Sequence, residues 1–170
     1  MKNIGKSIII ATNNQHKAQE FTQILGPAWK IYTAKDIGDI EWNENGKTFL
    51  ENSELKAAAV SNSLPKELEE ALVIADDSGL CVDVLDGAPG IYSARYAGTE
   101  GNDQANNSLL LKNLEDFPNP NQRLARFVCA LTLYLCGKKL HQIVGEMHGR
   151  IKSKPSGDKC FGYDPVFEPR

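Results

Sequence analysis

Two adjacent carboxylates, Asp76 and Asp77, are the residues best placed for chemistry, because they directly follow an apolar run at residues 71–75. The run predicts a buried strand, and the Ser78-Gly79 pair that comes next predicts a turn at its carboxyl end. Ligands of open α/β sheets bind outside the carboxyl ends of the strands, so these carboxylates could hold a divalent metal ion or activate a water molecule. A plain turn is the alternative interpretation, and for the dipeptide taken alone it is the favoured one.

A phosphate site is predicted near the N-terminus, where a strand at residues 7–11 is joined to a helix at residues 15–25 by the polar turn Thr-Asn-Asn. Such a turn offers backbone N–H groups and the positive end of a helix to an anion, and Lys17 could reach the same anion. The alternative is that an asparagine of the turn only caps the helix and that Lys17 is solvated. Taken alone, the turn favours this alternative.

A second helix is predicted at residues 49–63, because Thr48 and Glu51 fit a capping box ahead of a run of good helix formers. Glu44 lies just before this helix, and Lys56 lies near its middle. Considered without its neighbours, Glu44 is one surface carboxylate among 22 acidic residues. The helix is therefore a candidate carrier of charged site residues rather than a site in itself.

A short aromatic segment near the C-terminus, Phe161-Gly162-Tyr163-Asp164, is a candidate for contact with a nucleobase. An aromatic ring beside a glycine in a loop can stack on a base, and a nearby carboxylate can accept a hydrogen bond from a base N–H. The alternative is a core phenylalanine followed by a turn aspartate before a proline. The segment alone supports both interpretations about equally.

Composition limits the kind of protein. The chain has 170 residues, 41% of them hydrophobic, which predicts one sizeable core and a single domain over residues 1–170. A net charge of −3 without a basic stripe argues against a nucleic-acid partner. The apolar run near the N-terminus is too short for a signal sequence or a membrane span, so we expect a cytoplasmic protein with no membrane partner. Four cysteines without C-x-x-C spacing predict thiols rather than a zinc site.

The order of the predicted elements indicates the fold class. Helix–strand units come first, and a β-hairpin of residues 123–136 and 140–151, joined at 137–139, comes late. Residues 80–85 are expected to form a strand that pairs back on the Asp-bearing strand through a turn at residues 78–79. This order predicts an α/β fold with a mixed, partly antiparallel sheet flanked by helices.

Four stretches together resemble the inosine/xanthosine triphosphate pyrophosphatases, which hydrolyse non-canonical purine nucleoside triphosphates. A-D-D-S-G-L followed by V-x-x-L-x-G-A-P-G-I-Y-S-A-R-Y-x-G is similar to the central motif of that family, and T-x-N-x-x-K to its N-terminal substrate loop. E-x-G-x-T-F-x-E-N-x-x-x-K-A and F-G-Y-D-P resemble its metal-bearing helix and its base-binding loop. The resemblance implies Mg²⁺-dependent hydrolysis of ITP, dITP or XTP to the monophosphate and pyrophosphate, a homodimer, and two lobes around a central substrate cleft.

The same resemblance implies roles for individual residues. Glu44 and Asp77 would be the metal ligands. Asp77 would also act as the general base or orient the water, and Asp76 would hold the arrangement. The resemblance favours Asp77 over Asp76 as the catalytic carboxylate, whereas spacing alone does not choose between them. Arg95 would either face the cleft or serve an ion pair. The residues expected to contact the substrate are Thr12, Asn13, Asn14, Gln15, His16, Lys17, Lys56, Ser78, Arg95, Phe161, Gly162, Tyr163 and Asp164.

The sequence departs from the family pattern in three places. Asn13 stands where the family usually has a small residue, and Cys160 where it usually has glycine. The sequence also stops at Arg170, before the helical segment in which the family carries a lysine and a Ser-His-Arg motif. We therefore expect the 170-residue chain to bind ITP with reduced affinity and to prefer ITP over ATP only weakly. Two alternatives stay open, a nucleotide-binding protein without turnover and a pyrophosphatase for other modified nucleotides.

Overall fold

The computed structural model describes residues 7–157 and 161–170 of the chain, so that Cys160 lies outside the described residues. Short 3₁₀ turns connect several of the regular elements. The strands and α-helices of this part of the chain are, in order, β1 (Ser7–Ile10), α1 (Gln15–Leu25), β2 (Lys30–Thr33), α2 (Ala34–Ile37), α3 (Phe49–Asn62), β3 (Leu72–Val82), α4 (Asp103–Asn113), β4 (Leu124–Leu135), β5 (Lys138–Ile151) and β6 (Phe167–Pro169).

The sheet is mixed. Its strand order is β2-β1-β3-β4-β5-β6, in which β1 runs parallel to β2 and β3, whereas β6 runs antiparallel to β5. Cys136 and Gly137, both with positive φ, form the two-residue connection from β4 to β5. A connection of this length joins antiparallel strands, and it lies slightly earlier than the predicted turn. The predicted α/β fold with a mixed sheet is confirmed.

The chain divides into two compact units. The first unit comprises Met1–Asp77 and Ala130–Val144, and the second comprises Ser78–Cys129 and Gly145–Arg170. Strands β3, β4 and β5 contribute residues to both units. The central substrate cleft that the resemblance implies stays a prediction.

In the first unit, alternate residues of β1 and β3 pack on opposite faces of the sheet, because successive side chains of a strand point in opposite directions. One face packs against α1 and the other against α3. The α1 side contains Ile8, Ile10 and Ile74 with Phe21 and Leu25, and the α3 side contains Ile9, Val73 and Ala75 with Ala57 and Val60. The same alternation continues along β3, and it decides to which face the side chains of Asp76 and Asp77 point.

The second unit has its own apolar core, which packs α4 against the end of β3 and against β6. Leu110 and Leu114 are fully buried in it. Arg123 is buried beside them, and its guanidinium donates to three backbone carbonyls, including that of Leu114 at the end of α4. Because the last carbonyls of a helix have no partner within the helix, this arginine caps α4.

The largest difference from the sequence-based prediction concerns the strand that carries the two aspartates. The structure has one continuous strand, β3, from Leu72 to Val82, so no turn occurs at residues 78–79 and no separate strand at 80–85 pairs back on it. Leu80 and Val82 are fully buried, so the apolar character of the strand resumes directly after the polar positions. Both aspartates therefore lie within the sheet and not in a loop.

Smaller predictions have mixed outcomes. The predicted bounds of α1 agree with the structure, and α3 begins at the capping threonine as expected, because the Thr48 side chain accepts from the Glu51 N–H. Ile24 of α1 is 81% exposed. The peptide bond between Ala88 and Pro89 is cis. No helix in the described ranges combines the length and the apolar composition needed to cross a membrane.

Candidate functional site

Asp76 and Asp77 are both buried, and they face opposite sides of β3. The Asp76 carboxylate accepts from the Lys17 ammonium of α1, on the side where α1 packs. The Asp77 carboxylate meets Asn52 and Lys56 of α3, on the other side. The adjacent carboxylates therefore do not act as one pair of ligands for a single cation. The sequence analysis placed the aspartates at the end of a strand. If they had been assigned to the strand itself, the alternation of side chains would have predicted this separation.

The Lys56 ammonium links two carboxylates from different segments of the first unit. It lies 3.0 Å from Glu44 Oε1 and 3.6 Å from Asp77 Oδ1, and its side chain is only 8% exposed. A buried ammonium is costly unless opposite charges surround it, and here two carboxylates do so. The structure thus brings together Glu44, Lys56 and Asp77, three residues that the sequence analysis predicted to share a site.

Burial raises the pKa of the Asp77 carboxyl above its ordinary value, while the Lys56 charge and the Asn52 hydrogen bond act in the opposite direction. Desolvation raises this pKa because a charged carboxylate loses hydration inside the protein. A carboxylate with a raised pKa is also a stronger base than a fully solvated one. Asp77 therefore has the environment of a residue that can take a proton from water.

Asn52 is a site residue that the sequence analysis did not single out, although it falls within the E-N-x-x-x-K pattern. It is 1% exposed, and its carboxamide joins two parts of the site. Nδ2 donates to Asp77 Oδ2 at 3.1 Å, and Oδ1 accepts from the Gly46 N–H at 2.8 Å. A Cβ at Gly46 would lie 2.6 Å from Asn52 Oδ1, so this contact requires glycine. Asn52 thus ties the loop that carries Glu44 to the carboxylate of Asp77.

The N-terminal turn is already hydrogen-bonded. The Thr12 hydroxyl accepts from the Asn14 N–H, and the Asn14 side chain caps α1 by accepting from the N–H groups of His16 and Lys17. The expectation of several available N–H groups at this turn therefore needs correction, because three of them have side-chain acceptors. Asn13, Gln15 and His16 are exposed beside them. An anion here would be held chiefly by Lys17.

The residues present fit Mg²⁺ in one particular way. Glu44 and Asp77 offer hard carboxylate oxygens, and Mg²⁺ is commonly held by one or two carboxylates together with water and substrate phosphate oxygens. Within the described residues, no group of three or more histidine, cysteine or acidic side chains is arranged to hold a metal ion. The first unit thus suits a cation shared with a phosphate ligand and not a cage built from protein alone.

In the second unit, the predicted base-contact segment shows a division between exposed and buried side chains. Phe161 is 46% exposed and Asp164 is exposed, whereas Tyr163 is buried and its hydroxyl donates to the Ser93 carbonyl at 2.8 Å. Burial raises the pKa of the Tyr163 hydroxyl, which therefore stays protonated. Of this segment, Phe161 and Asp164 have the exposure that contact with a ligand requires.

Two further predicted substrate contacts belong to the second unit. Ser78 is half-buried at the start of the second unit, in the middle of β3. Arg95 is half-buried, and its guanidinium lies 5.3 Å from the centre of the Tyr92 ring, a cation–π distance. This contact is a third possibility beside the two that the sequence analysis considered for Arg95.

Comparison with known proteins identifies the family. The sequence model of the Ham1 family matches residues 8–170. A dITP/XTP pyrophosphatase of Oceanobacillus iheyensis is 46% identical over 97% of this chain and 82% of its own length, and that of Bacillus subtilis is 44% identical over 96% and 81%. The Ham1 protein of Staphylococcus aureus, a solved structure, is 39% identical with a TM-score of 0.81, over 95% of this chain and 80% of its own.

These findings show that the chain has the α/β fold of the Ham1 proteins. A nucleoside-triphosphatase, dITP/XTP pyrophosphatase, of Mycobacterium abscessus also superposes on it, with a TM-score of 0.75 and 35% identity over 96% of this chain and 84% of its own. The chain belongs to the Ham1 family, and the resemblance inferred from its motifs is confirmed. It spans about four-fifths of the length of these relatives.

Replacement of Asn52 by leucine should reduce turnover of dITP, the substrate named for the relatives, by about a hundredfold, because small misplacements of reacting groups cost this much. The change keeps the size of the side chain and removes both hydrogen bonds. Steady-state kinetics should show the loss in kcat more than in KM. Asn52→Asp should retain only the acceptor for Gly46 and place a second negative charge beside Asp77.

Ser53→Ala is the matched control for this prediction. Ser53 is the next residue of α3 and is fully buried, and its hydroxyl bonds the Thr132 hydroxyl at 2.7 Å and the Leu50 carbonyl at 2.9 Å. Its replacement should lower the melting temperature but leave kcat near the wild-type value. Equal kinetic losses in both variants would show that Asn52 supports the helix and has no separate effect on Asp77.

Proposed function

We propose that this chain is a hydrolase of non-canonical purine nucleoside triphosphates, such as dITP, ITP and XTP, that releases the monophosphate and pyrophosphate. The observation that carries the proposal is the Glu44–Lys56–Asp77 group, which combines an ammonium for phosphate with two carboxylates for a cation and a water molecule. The activity named for the relatives supports the substrate class. A protein that only binds nucleotides need not keep an acidic pair such as Glu44 and Asp77 for a metal ion, which favours turnover over binding alone.

The reaction adds water to a phosphorus atom and breaks a phosphoanhydride bond, so that the bridging oxygen leaves with pyrophosphate. Asp77 would orient the attacking water and accept its proton. Lys17 and Lys56 would offset negative charge on the triphosphate. Such electrostatic stabilisation is the main contribution of a protein to phosphoryl transfer. Asp76 would hold Lys17 in place on the α1 side of β3, the face opposite to that of Asp77.

Glu44 and Asp77 would hold the Mg²⁺ ion. When bound, such an ion supplies charge neutralisation for the phosphate oxygens and lowers the pKa of a coordinated water. The Lys56 ammonium lies against both carboxylates, which means that the two carboxylates together attract a positive charge. Asn52 would keep the Glu44 loop in place for this role.

Two residues of the segment 161–164 are proposed to contact the base. Phe161 would stack on the purine, and Asp164 would accept from the N1–H that a 6-oxopurine carries and adenine lacks. Partial burial and the nearby charge of Asp103 raise the pKa of the Asp164 carboxyl. Ionised Asp164 accepts this hydrogen bond, so base preference should weaken as pH falls through its raised pKa.

An assay across ITP, XTP, dITP, GTP and ATP with Mg²⁺ tests the proposed function. We expect the monophosphate and pyrophosphate as products, ATP as the slowest substrate by a modest factor, and loss of activity on chelation with EDTA. Chromatography of the products distinguishes pyrophosphate from orthophosphate. Release of orthophosphate, or tight nucleotide binding with no turnover, would contradict the proposal.

Asp77→Asn should abolish turnover while the fold stays intact, because the amide keeps the shape of the side chain but neither attracts a cation nor takes a proton. The expected loss in kcat is at least about a hundredfold. Asp83→Asn is the control, because Asp83 is an exposed carboxylate that pairs with Arg126 in the second unit. If Asp77→Asn keeps more than about a tenth of the wild-type kcat, Asp77 is not the catalytic base.

We also propose that the chain acts in the cytoplasm as a homodimer. The thiols of Cys81 and Cys136 are free, which supports a reducing compartment. Three apolar side chains in the first half of β5 are exposed, Leu140 by 55%, Ile143 by 53% and Val144 by 43%. A second copy of the chain is the partner that we propose for this strand, because exposed apolar side chains mark interaction surfaces.

Light scattering on a sizing column tests the homodimer. Ile143→Lys should halve the molar mass, because it replaces an exposed apolar side chain of this strand by a charge. Ile24→Lys is the control, since Ile24 is an exposed isoleucine of α1 and does not belong to this strand. A wild-type chain that is monomeric at all concentrations, or an Ile143→Lys variant that stays dimeric, would contradict the proposed interface.

A further inference from the structure

We propose that Asp103 and Asn107 of α4 are positioning residues that hold the Phe161-Gly162 loop in the conformation that stacks on the substrate base. The proposal rests on the function proposed for Phe161 and names the residues on which that function depends. Neither residue was predicted to belong to the site. Both lie in the second unit, as does the loop that they hold.

The two side chains bind the two polar groups of a single residue. Asp103 Oδ2 accepts from the Gly162 N–H at 2.9 Å, and Asn107 Nδ2 donates to the Gly162 carbonyl at 2.8 Å. Residues four apart lie on the same face of a helix, so the first two turns of α4 present both groups together. The φ of Gly162 is +57°, a left-handed conformation that favours glycine. We call these two hydrogen bonds, from Asp103 and Asn107 to Gly162, the clamp. The clamp therefore fixes the backbone directly after Phe161.

The loop is anchored in the core without this clamp. Tyr163, Val166 and Phe167 are buried in the apolar core of the second unit, and the Tyr163 hydroxyl bonds the Ser93 carbonyl. Folding of the segment is thus supported by burial on the side after Gly162. What the clamp adds is the direction of the exposed Phe161 ring, which precedes Gly162 and is 46% exposed.

Asn107 does not have the contacts expected of a residue kept for stability. Its side chain is buried, yet its carboxamide oxygen has no hydrogen-bond partner among the described residues. A buried acceptor without a partner weakens the folded state and offsets much of what the bond to Gly162 contributes. An apolar residue would fill the same space without that penalty. The effect of Asn107 is therefore expected on the loop more than on the stability of the fold.

Three variants test the clamp. Asn107→Leu and Asp103→Leu each remove one hydrogen bond to Gly162, whereas Asp103→Asn retains an acceptor for the Gly162 N–H and removes only the charge. We expect the two leucine variants to raise the KM for ITP and the dissociation constant for IMP by about tenfold, within the range for loss of base stacking. Asp103→Asn should stay within about twofold of wild type.

Pyrophosphate serves as the probe without a base. Its inhibition constant should change by less than about twofold in every variant, because it offers nothing for Phe161 to stack on. The control is Asn113→Leu, on the same helix, whose carboxamide donates to the Tyr96 hydroxyl and not to the loop. It should leave the constants for ITP, IMP and pyrophosphate unchanged. Thermal unfolding of each variant reports the stability separately.

Several outcomes would contradict the proposed role of the clamp. Leucine variants that bind IMP as wild type does would show that the loop needs neither bond, and equal weakening of IMP and pyrophosphate would show a general structural role. If Asn107→Leu does not fold, the comparison of Asp103→Leu with Asp103→Asn decides the matter alone. A wild-type chain that binds IMP but hydrolyses no triphosphate would contradict the proposed activity. The dissociation constants of the variants for IMP would still test the clamp in that case.

Discussion

The alternation of side chains along β3 is the constraint on which the site depends. Because Asp76 and Asp77 are neighbours in a buried strand, their carboxylates must point to opposite faces of the sheet. Each buried charge then needs a cation on its own side, since an unpaired carboxylate in the interior is strongly unfavourable. Lys17 of α1 and Lys56 of α3 meet this need. The positions of two helices are thus coupled to two consecutive residues of one strand.

This arrangement separates the two aspartates by environment as well as by direction. Asp76 meets the Lys17 ammonium directly, which suits a carboxylate that holds a lysine in place. Asp77 shares the Lys56 ammonium with Glu44 and receives a hydrogen bond from Asn52, which leaves part of its acceptor capacity for a cation or a water molecule. Environment therefore distinguishes residues that the sequence alone leaves equivalent.

The sequence predicts those features that depend on local contacts. The bounds of α1 and the start of α3 follow from capping residues and are found as expected, and the mixed sheet follows from the order of elements. The predicted turn at residues 78–79 is wrong, because Ser and Gly also fit the middle of a strand when buried apolar residues continue on both sides. The contact from Asn52 to Asp77 spans 25 positions. Only the helical spacing of Asn52 and Lys56, four residues apart, could have indicated it.

The same physical solution occurs independently in each unit. A loop that carries candidate site residues is irregular, so its backbone groups lack the partners that a helix or strand provides. In the first unit Asn52 of α3 binds the Gly46 N–H, and in the second Asp103 of α4 binds the Gly162 N–H. Glycine is needed at both places, at the first for close approach and at the second for a positive φ. A rigid helix thereby fixes the backbone of a loop through polar side chains, and the loop gains a defined conformation without becoming regular.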